Sequence, residues 1–320
     1  MFFRKKSGNV VKGKTPWYCA PIEQQRQFVR KNAPSDLRYW AEQFIEEGVV
    51  VVEQSVSDEM TADALTSFDK LIRDNKEAFS SAADAQGNYA RLINLHLVLP
   101  QLRRLYFENK ALRLLEFLFQ ARPALYTSLY FQRGSTQPLH RDSPFFTTNP
   151  RNYYVGFWVA LEDATLNNGT LQIVRGGHLL PELDLAELAA TKYASGQAVG
   201  AFDMDMWKLY QDAMRASVDA AGLKVETLEV KAGSTVLWHP HIPHGGSQIK
   251  NLGSTRNSFV VHTTPKGVPV GHQDAFYGRD ADRSSEAAWS YRDMGPAEMV
   301  EHGQIDIGHN KPIKLQDVVV

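Results

Sequence analysis

The sequence predicts a mainly β protein with flanking helices: a double-stranded β-helix (a jelly-roll or cupin-like core) with a helical layer on its N-terminal side. Two observations predict it. Before Pro123, apolar residues recur at helical spacing. After Pro123, six short segments rich in Val, Tyr, Phe and Thr are separated by Gly, Pro and Asn, the pattern of short strands joined by turns. Helices followed by strands suit a helical layer packed on one side of a double sheet.

The elements follow in order. Residues 1–35 read as a mixed, turn-rich N-terminal extension. Ser35 is placed to cap a helix from Asp36 to Glu47, with Leu37, Trp40 and Phe44 on one face and Gly48 just past its end. Gly48–Val52 reads as a buried strand. Ser57 caps a second helix whose first turn holds Asp58 and Glu59, favourable to the helix dipole, with Leu65, Phe68 and Ile72 as its apolar face. A third helix is expected near Asn109–Phe119. The six strand segments are Leu125–Gln132, Tyr153–Leu161, Thr170–Val174, Val225–Val230, Thr235–Trp238 and Arg256–Thr263. Residues 182–222 interrupt them with helical spacing, as a lid or as plain surface elaboration. Residues 266–320 form a tail that can cover the barrel, mediate a dimer or pack on its side.

Composition bounds the function. The 320 residues suggest roughly two domains by length alone, but all-β barrels often run longer as one, and 1–320 reads as a single domain with additions. Hydrophobic residues are 43% and charged residues 22%, ordinary globular usage. With 35 Lys and Arg against 36 Asp and Glu the net charge is −1. Neither nucleic acid nor an anionic membrane is expected as a partner. The single cysteine, Cys19, forbids an internal disulfide and suits a reducing compartment. The basic start Met1–Lys6 is followed by no apolar run, so a cytoplasmic location is expected. The sequence sets no oligomeric state.

The chemistry concentrates in His140-Arg141-Asp142, in His244 far downstream, and in Arg256 twelve residues later. Two imidazoles and one carboxylate are the ligand set of a non-heme Fe(II) site with open coordination positions. Side chains at i and i+2 of an extended strand share a face, so His140 and Asp142 can bind one metal while Arg141 points away. His239 and His241 lie close to His244, and His241 is a rival for the distal ligand. His262 shares strand parity with Arg256 and can face the barrel interior, and His178 is placed to orient a loop or touch substrate.

Several segments together resemble the phytanoyl-CoA dioxygenase family of Fe(II)/2-oxoglutarate oxygenases. They are Pro138–Ser143, Trp158, Gly169–His178, Lys231–Ser234, Trp238–Ser247 and the early Glu47–Val51, within roughly residues 36–265. The resemblance implies that His140, Asp142 and His244 hold iron and that Arg256 pairs with the distal carboxylate of 2-oxoglutarate. A guanidinium fork makes two charge-assisted bonds to a carboxylate and keeps its proton, which agrees with that role. The family often has Ser two residues after the distal His. That position is Gly246 here, and Ser247 takes the role if the turn is one residue longer. Trp158 matches an aromatic position near the site. The implied reaction consumes O2 and 2-oxoglutarate, releases succinate and CO2, and hydroxylates a substrate that does not ligate the metal. Related halogenases replace the carboxylate with a small residue, so Asp142 argues against halogenation. Desaturation, epimerisation and ring formation begin with the same hydrogen abstraction.

The substrate is expected to be a small or medium polar metabolite, such as a sugar-containing natural product or an amino-acid derivative. Phe145, Phe146, Tyr153 and Tyr154 would supply aromatic surface, and Asn149, Asn152, Asn167 and Asn168 polar groups. An acyl-CoA would need cations, which Arg141, Arg151 and Arg175 supply only by converging in space. Two other classes fit the pattern: a non-catalytic jelly-roll protein binding carbohydrate or another small molecule, and a metal-dependent cupin-type isomerase. Neither gives Arg256 a role.

Overall fold

The computed structural model describes residues 15–84, 87–89, 91–278 and 289–301. Its larger sheet runs, in spatial order, through Val49–Val52, Thr235–Trp238, Val155–Ala160, Ser258–Pro265, Pro123–Phe131, Glu298–Val300 and Tyr291–Asp293. Leu92–Ile93 also pairs with Pro123–Phe131. The pairings are antiparallel except that of Glu298–Val300 with Pro123–Phe131. A smaller antiparallel sheet holds Glu226–Leu228, Leu171–Ile173 and His244–Gly246. All six segments expected as strands therefore contain one, and neighbours in sequence are seldom neighbours in the sheet. That interleaving places two sheets face to face.

Alternation along each strand divides the interior in two. From Val155–Ala160, residues Val155, Phe157 and Val159 join the core under the helices, while Trp158 and Ala160 join the core between the sheets. Leu237 and Phe259 face the helices, and Val236, Trp238 and Val260 face inward. A side chain's parity thus decides whether it packs a helix or reaches the barrel interior.

The helical layer follows the sequence with three corrections, of which one is the helix Pro100–Phe107, not expected from the sequence. Ser57 accepts a hydrogen bond from the Met60 amide and starts Asp58–Asp74, and Gly48 ends Arg38–Glu47 with φ +76°. Ser35 caps nothing. A turn from the Pro34 carbonyl to the Leu37 amide leads into that helix, and Leu37 already has helical backbone angles. The expected turn-rich extension instead holds the helix Ile22–Asn32, with Val29 and the preceding Tyr18 fully buried. Near the third expected helix, Leu112–Phe119, the Asn109 side chain accepts from the Ala111 amide.

The interruption at 182–222 forms Leu185–Ala190 and Met204–Ala220, each capped by an aspartate, Asp184 and Asp203. Met214 and Val218 of the longer helix pack on Val174, beside the smaller sheet. Part of the tail packs on the barrel, where Trp289 stacks on Tyr126 at 4.8 Å. Residues 302–320 lie outside the described residues. No helix among the described residues is long and apolar enough to cross a membrane.

Candidate active site

His140 and His244 converge because they are cross-strand neighbours. Each amide donates to the other's carbonyl, at 2.8 and 2.9 Å, across an isolated antiparallel bridge. Residues directly opposite in an antiparallel pair project to the same face, and the two imidazole centroids are 4.4 Å apart. Each Nδ1 donates to a backbone carbonyl, Pro138 for His140 and Ile242 for His244. A carbonyl only accepts, so these bonds fix the tautomer and present both Nε2 lone pairs inward.

Asp142 completes the cluster, but not as a strand residue. Its carbonyl accepts from the Phe145 and Phe146 amides and begins a turn. Its carboxylate is 3.7 Å from His140 Nε2 through Oδ1 and 3.6 Å from His244 Nε2 through Oδ2. One ligand atom from each residue lies within 4.8 Å of the others, and all three residues are buried. Oδ2 accepts from the Tyr154 hydroxyl at 2.9 Å and from Trp238 Nε1 at 3.1 Å. Oδ1 is left facing His140. Burial alone would raise the Asp142 carboxyl, but His244, His140, His262 and the Tyr154 hydroxyl outweigh it and hold it at about 2. Burial pushes His140 down to about 4, with His244 adding to the effect. At neutral pH the cluster is therefore one carboxylate with a neutral His140 beside it, a donor set that fits a divalent iron ion.

Arg141 points away from the cluster and donates to the Gly177 carbonyl, while its amide donates to Gln211. His241 also turns away: its Nε2 meets the Asn152 side chain at 2.9 Å and Glu182 at 3.3 Å. His239 contacts the Tyr18 carbonyl and Cys19. His178 meets the Ile45 carbonyl and packs beside His239. None of these three lines the cavity described next.

The cluster opens into a cavity of about 460 Å³ between the sheets. Arg256 and Trp158 line it with the triad. The Arg256 guanidinium is 97% buried and lies 5.5 Å from the Trp158 ring and 5.9 Å from the Phe131 ring. One nitrogen donates to the Arg133 carbonyl, and Nε is enclosed with no partner. Burial lowers this guanidinium to about 10, so it keeps its charge at neutral pH. An enclosed, incompletely bonded cation of this kind fits an incoming carboxylate.

Ser247 follows the strand His244–Gly246 and is not among the residues lining the cavity. Its hydroxyl is buried without a partner. Ser135 was missed: its Oγ lies 2.7 Å from where a Cβ on Gly246 would sit, and it lines the cavity. The only sequence signal there was a turn, Gly134–Gln137.

The expected polar neighbours also fail to appear. Asn168 closes a turn at Thr165, Asn152 holds His241, and none of the described asparagines lines the cavity. Phe145 and Phe146 do line it, with Phe202, Met204 and Trp207 from the 182–222 interruption. Trp207 reaches within 6.0 Å of the His140 ring. The interruption is therefore cavity wall. Arg141 and Arg151 share a small pocket with His241 and Glu182, outside the main cavity, where Arg151 donates to the Phe276 carbonyl, while Arg175 pairs with Glu47 and Glu226.

Double sheets enclosing a buried His, Asp and His at one mouth define a mononuclear non-heme metal protein of the jelly-roll class. The chain belongs to the phytanoyl-CoA dioxygenase family, whose model matches residues 44–258, and it is thus a member of a family of Fe(II)/2-oxoglutarate-dependent oxygenases. It is 33% identical over 173 residues to phytanoyl-CoA dioxygenase domain-containing protein 1 of Mus musculus, covering 52% of this chain and 54% of that protein. The Caenorhabditis briggsae homologue is 23% identical over 176 residues, covering 54% and 57%. The chain thus spans little more than half the length of these curated relatives. Among solved structures, the non-heme alpha-ketoglutarate-dependent epimerase SnoN from nogalamycin biosynthesis is 19% identical with TM-score 0.55, covering 83% of this chain and 98% of that one. EctD from S. alaskensis is 16% identical with TM-score 0.53, covering 78% and 85%. At such identities these likenesses show the fold.

Proposed function

We propose that this protein is a hydroxylase that uses Fe(II), 2-oxoglutarate and O2 to oxidise a C–H bond of a small or medium metabolite. The observation that carries the reading is the presence of the triad and the enclosed Arg256 in one cavity. A pure binding module needs neither, and a metal-dependent isomerase leaves Arg256 idle.

His140 Nε2, Asp142 and His244 Nε2 would hold the iron, which supplies O2 activation coupled to loss of CO2 from 2-oxoglutarate. The balance is substrate C–H, O2 and 2-oxoglutarate giving substrate C–OH, succinate and CO2. Arg256 binds the distal carboxylate of 2-oxoglutarate in a fixed orientation. Tyr154 and Trp238 hold Asp142 still. The rings of Phe145, Phe146, Phe202 and Trp207 exclude water and present the substrate carbon. The apolar walls favour a substrate less polar than the sequence suggested.

The test is an anaerobic titration with Fe(II) and 2-oxoglutarate followed by visible absorption. A weak charge-transfer band in the green, appearing only with both present, is the expected result. Iron bound without the band would favour the isomerase, and no iron binding the non-catalytic module.

A further inference from the structure

The cavity wall says more about its occupant than the iron site does. Phe145, Phe146, Phe202, Trp207 and His272 come from three separate stretches of chain and meet at one cavity. Phe145 and Trp207 are 4.5 Å apart, Phe202 and His272 4.7 Å, and Phe145 and Phe202 6.2 Å with near-parallel planes. Phe202 remains 66% exposed and Met204 60%, two large apolar side chains left in water at a cavity edge. Exposed apolar surface grouped beside a pocket marks a ligand-contact surface. Aromatic walls can also hold a cation, but these walls carry two guanidiniums, Arg91 and Arg256, and their single described carboxylate is the metal ligand Asp142.

Polar groups in the wall are mostly engaged. Thr127 donates to Asn94, Gln137 accepts from Arg91, and His272 Nδ1 meets the Phe145 carbonyl. His262 differs. It lies on the strand Ser258–Pro265, lines the cavity with Arg256 and Val260, stacks on Phe146 at 3.9 Å, and is 96% buried. Its Nδ1 is enclosed with no hydrogen-bond partner. Of the four described imidazoles that line the cavity, His262 alone neither belongs to the metal cluster nor meets a backbone carbonyl, which leaves the ring edge turned to the cavity available to a ligand oxygen.

We propose that the cavity receives a flat, unsaturated ring system bearing a hydroxyl or carbonyl group, with the rings of Phe145, Phe202, Trp207 and His272 gripping the plane and His262 hydrogen-bonding the oxygen. Its identity as the substrate rests on the oxygenase reading. Flat rings gain offset or edge contacts with aromatic walls beyond the area they bury, and saturated rings of equal size do not.

The experiment uses 2-naphthol, its saturated analogue decahydro-2-naphthol, and naphthalene as probes. Binding to the anaerobic protein with Fe(II) and 2-oxoglutarate is read by equilibrium dialysis. 2-Naphthol is expected to bind about tenfold tighter than decahydro-2-naphthol. His262→Phe keeps the stack on Phe146 and removes both ring nitrogens. It should weaken 2-naphthol by about fivefold to tenfold, one hydrogen bond's worth, and leave naphthalene unchanged. Phe202→Ala should weaken 2-naphthol and naphthalene alike. Equal affinity for the saturated and aromatic alcohols would overturn the ring assignment. Equal losses of 2-naphthol and naphthalene in His262→Phe, or no loss of either, would overturn the role of His262. The green band is recorded in the same samples. Its presence with no ring preference sinks this inference alone; its absence sinks the oxygenase reading, while the dialysis still decides the ring preference.

Discussion

The Tyr154 hydroxyl donates to Oδ2 of Asp142 at 2.9 Å, and Trp238 Nε1 donates to the same oxygen at 3.1 Å. Two donors on one oxygen immobilise the carboxylate and leave Oδ1 for metal. Burial, with Asp142 adding to it, raises the Tyr154 phenol well above 10, so it stays protonated and donating. Removing a partner that orients a ligand typically costs 10–100-fold in metal affinity. Tyr154→Phe is therefore expected to weaken Fe(II) binding by about that factor while the fold survives. Anaerobic iron titration with circular dichroism checks both, and unchanged iron affinity would remove Tyr154 from this role.

The second donor depends on a glycine. A Cβ on Gly156 would fall 1.9 Å from the Trp238 indole, inside any real contact distance. Gly156 pairs with Trp238 across adjacent strands, so the missing side chain is the space the indole fills. Gly156→Ala should displace Trp238 from Asp142. Overpacking a core typically costs about 1–3 kcal/mol, and iron affinity should fall with it. A urea unfolding curve and an iron titration measure the two effects, and wild-type values in both would mean that the indole repacks freely.

The residue types at His140, Asp142 and His244 were legible in the sequence, but the period-two rule invoked for His140 and Asp142 does not describe the turn that Asp142 begins. The convergence of the three was not legible, since it depends on a bridge between residues 104 positions apart. Strand parity placed Arg256 and His262 on one inward face, and both line the cavity. Tyr154 and Trp238 bear no sequence relation to Asp142 that a spacing rule detects. Trp207 and Phe202 reach the cavity from an interruption whose packing is tertiary. The helix Ile22–Asn32 was missed for a related reason: few of its side chains are apolar, and its stability comes from what Val29 and the preceding Tyr18 bury.

The distal ligand is decided by a paired substitution. His244 Nε2 faces Asp142, whereas His241 Nε2 is occupied by Asn152 and Glu182. His244→Ala should abolish tight Fe(II) binding, and His241→Ala should leave it within about threefold, the scale of a substitution that touches no ligand. Competition with a colorimetric chelator reads both variants. Loss of iron in His241→Ala alone would reassign the ligand.

On the proposed reading, Arg256 holds 2-oxoglutarate and not the metal. Arg256→Ala should weaken 2-oxoglutarate by about 2–4 kcal/mol, the cost of losing a buried charge-assisted pair. Iron affinity should stay nearly intact. Titrating 2-oxoglutarate into the iron-loaded variant and following the green band gives the value. Normal 2-oxoglutarate affinity would place the carboxylate elsewhere.

Acid should destabilise the metal-free protein through histidines buried in the neutral form. His178 is pushed down to about 4, chiefly by burial and further by Arg141, against the opposing Ile45 carbonyl and Glu46. Burial, with Arg141 and His178, takes His241 to about 3. An unfolded histidine titrates near 6.5, so between that value and about 4 the unfolded chain binds protons that the folded chain does not. Stability is therefore fully present above about pH 6.5 and is lost as pH falls through the folded values. His178 alone accounts for a loss on the order of 3 kcal/mol across that window. The urea midpoint should be flat from pH 8 to 7 and fall steadily from about pH 6.5 to 4. In His178→Gln, which can still donate to the Ile45 carbonyl, the fall should be shallower by His178's share. An acid slope identical to wild type would show that His178 does not titrate on unfolding, and that its burial is relieved before the chain opens.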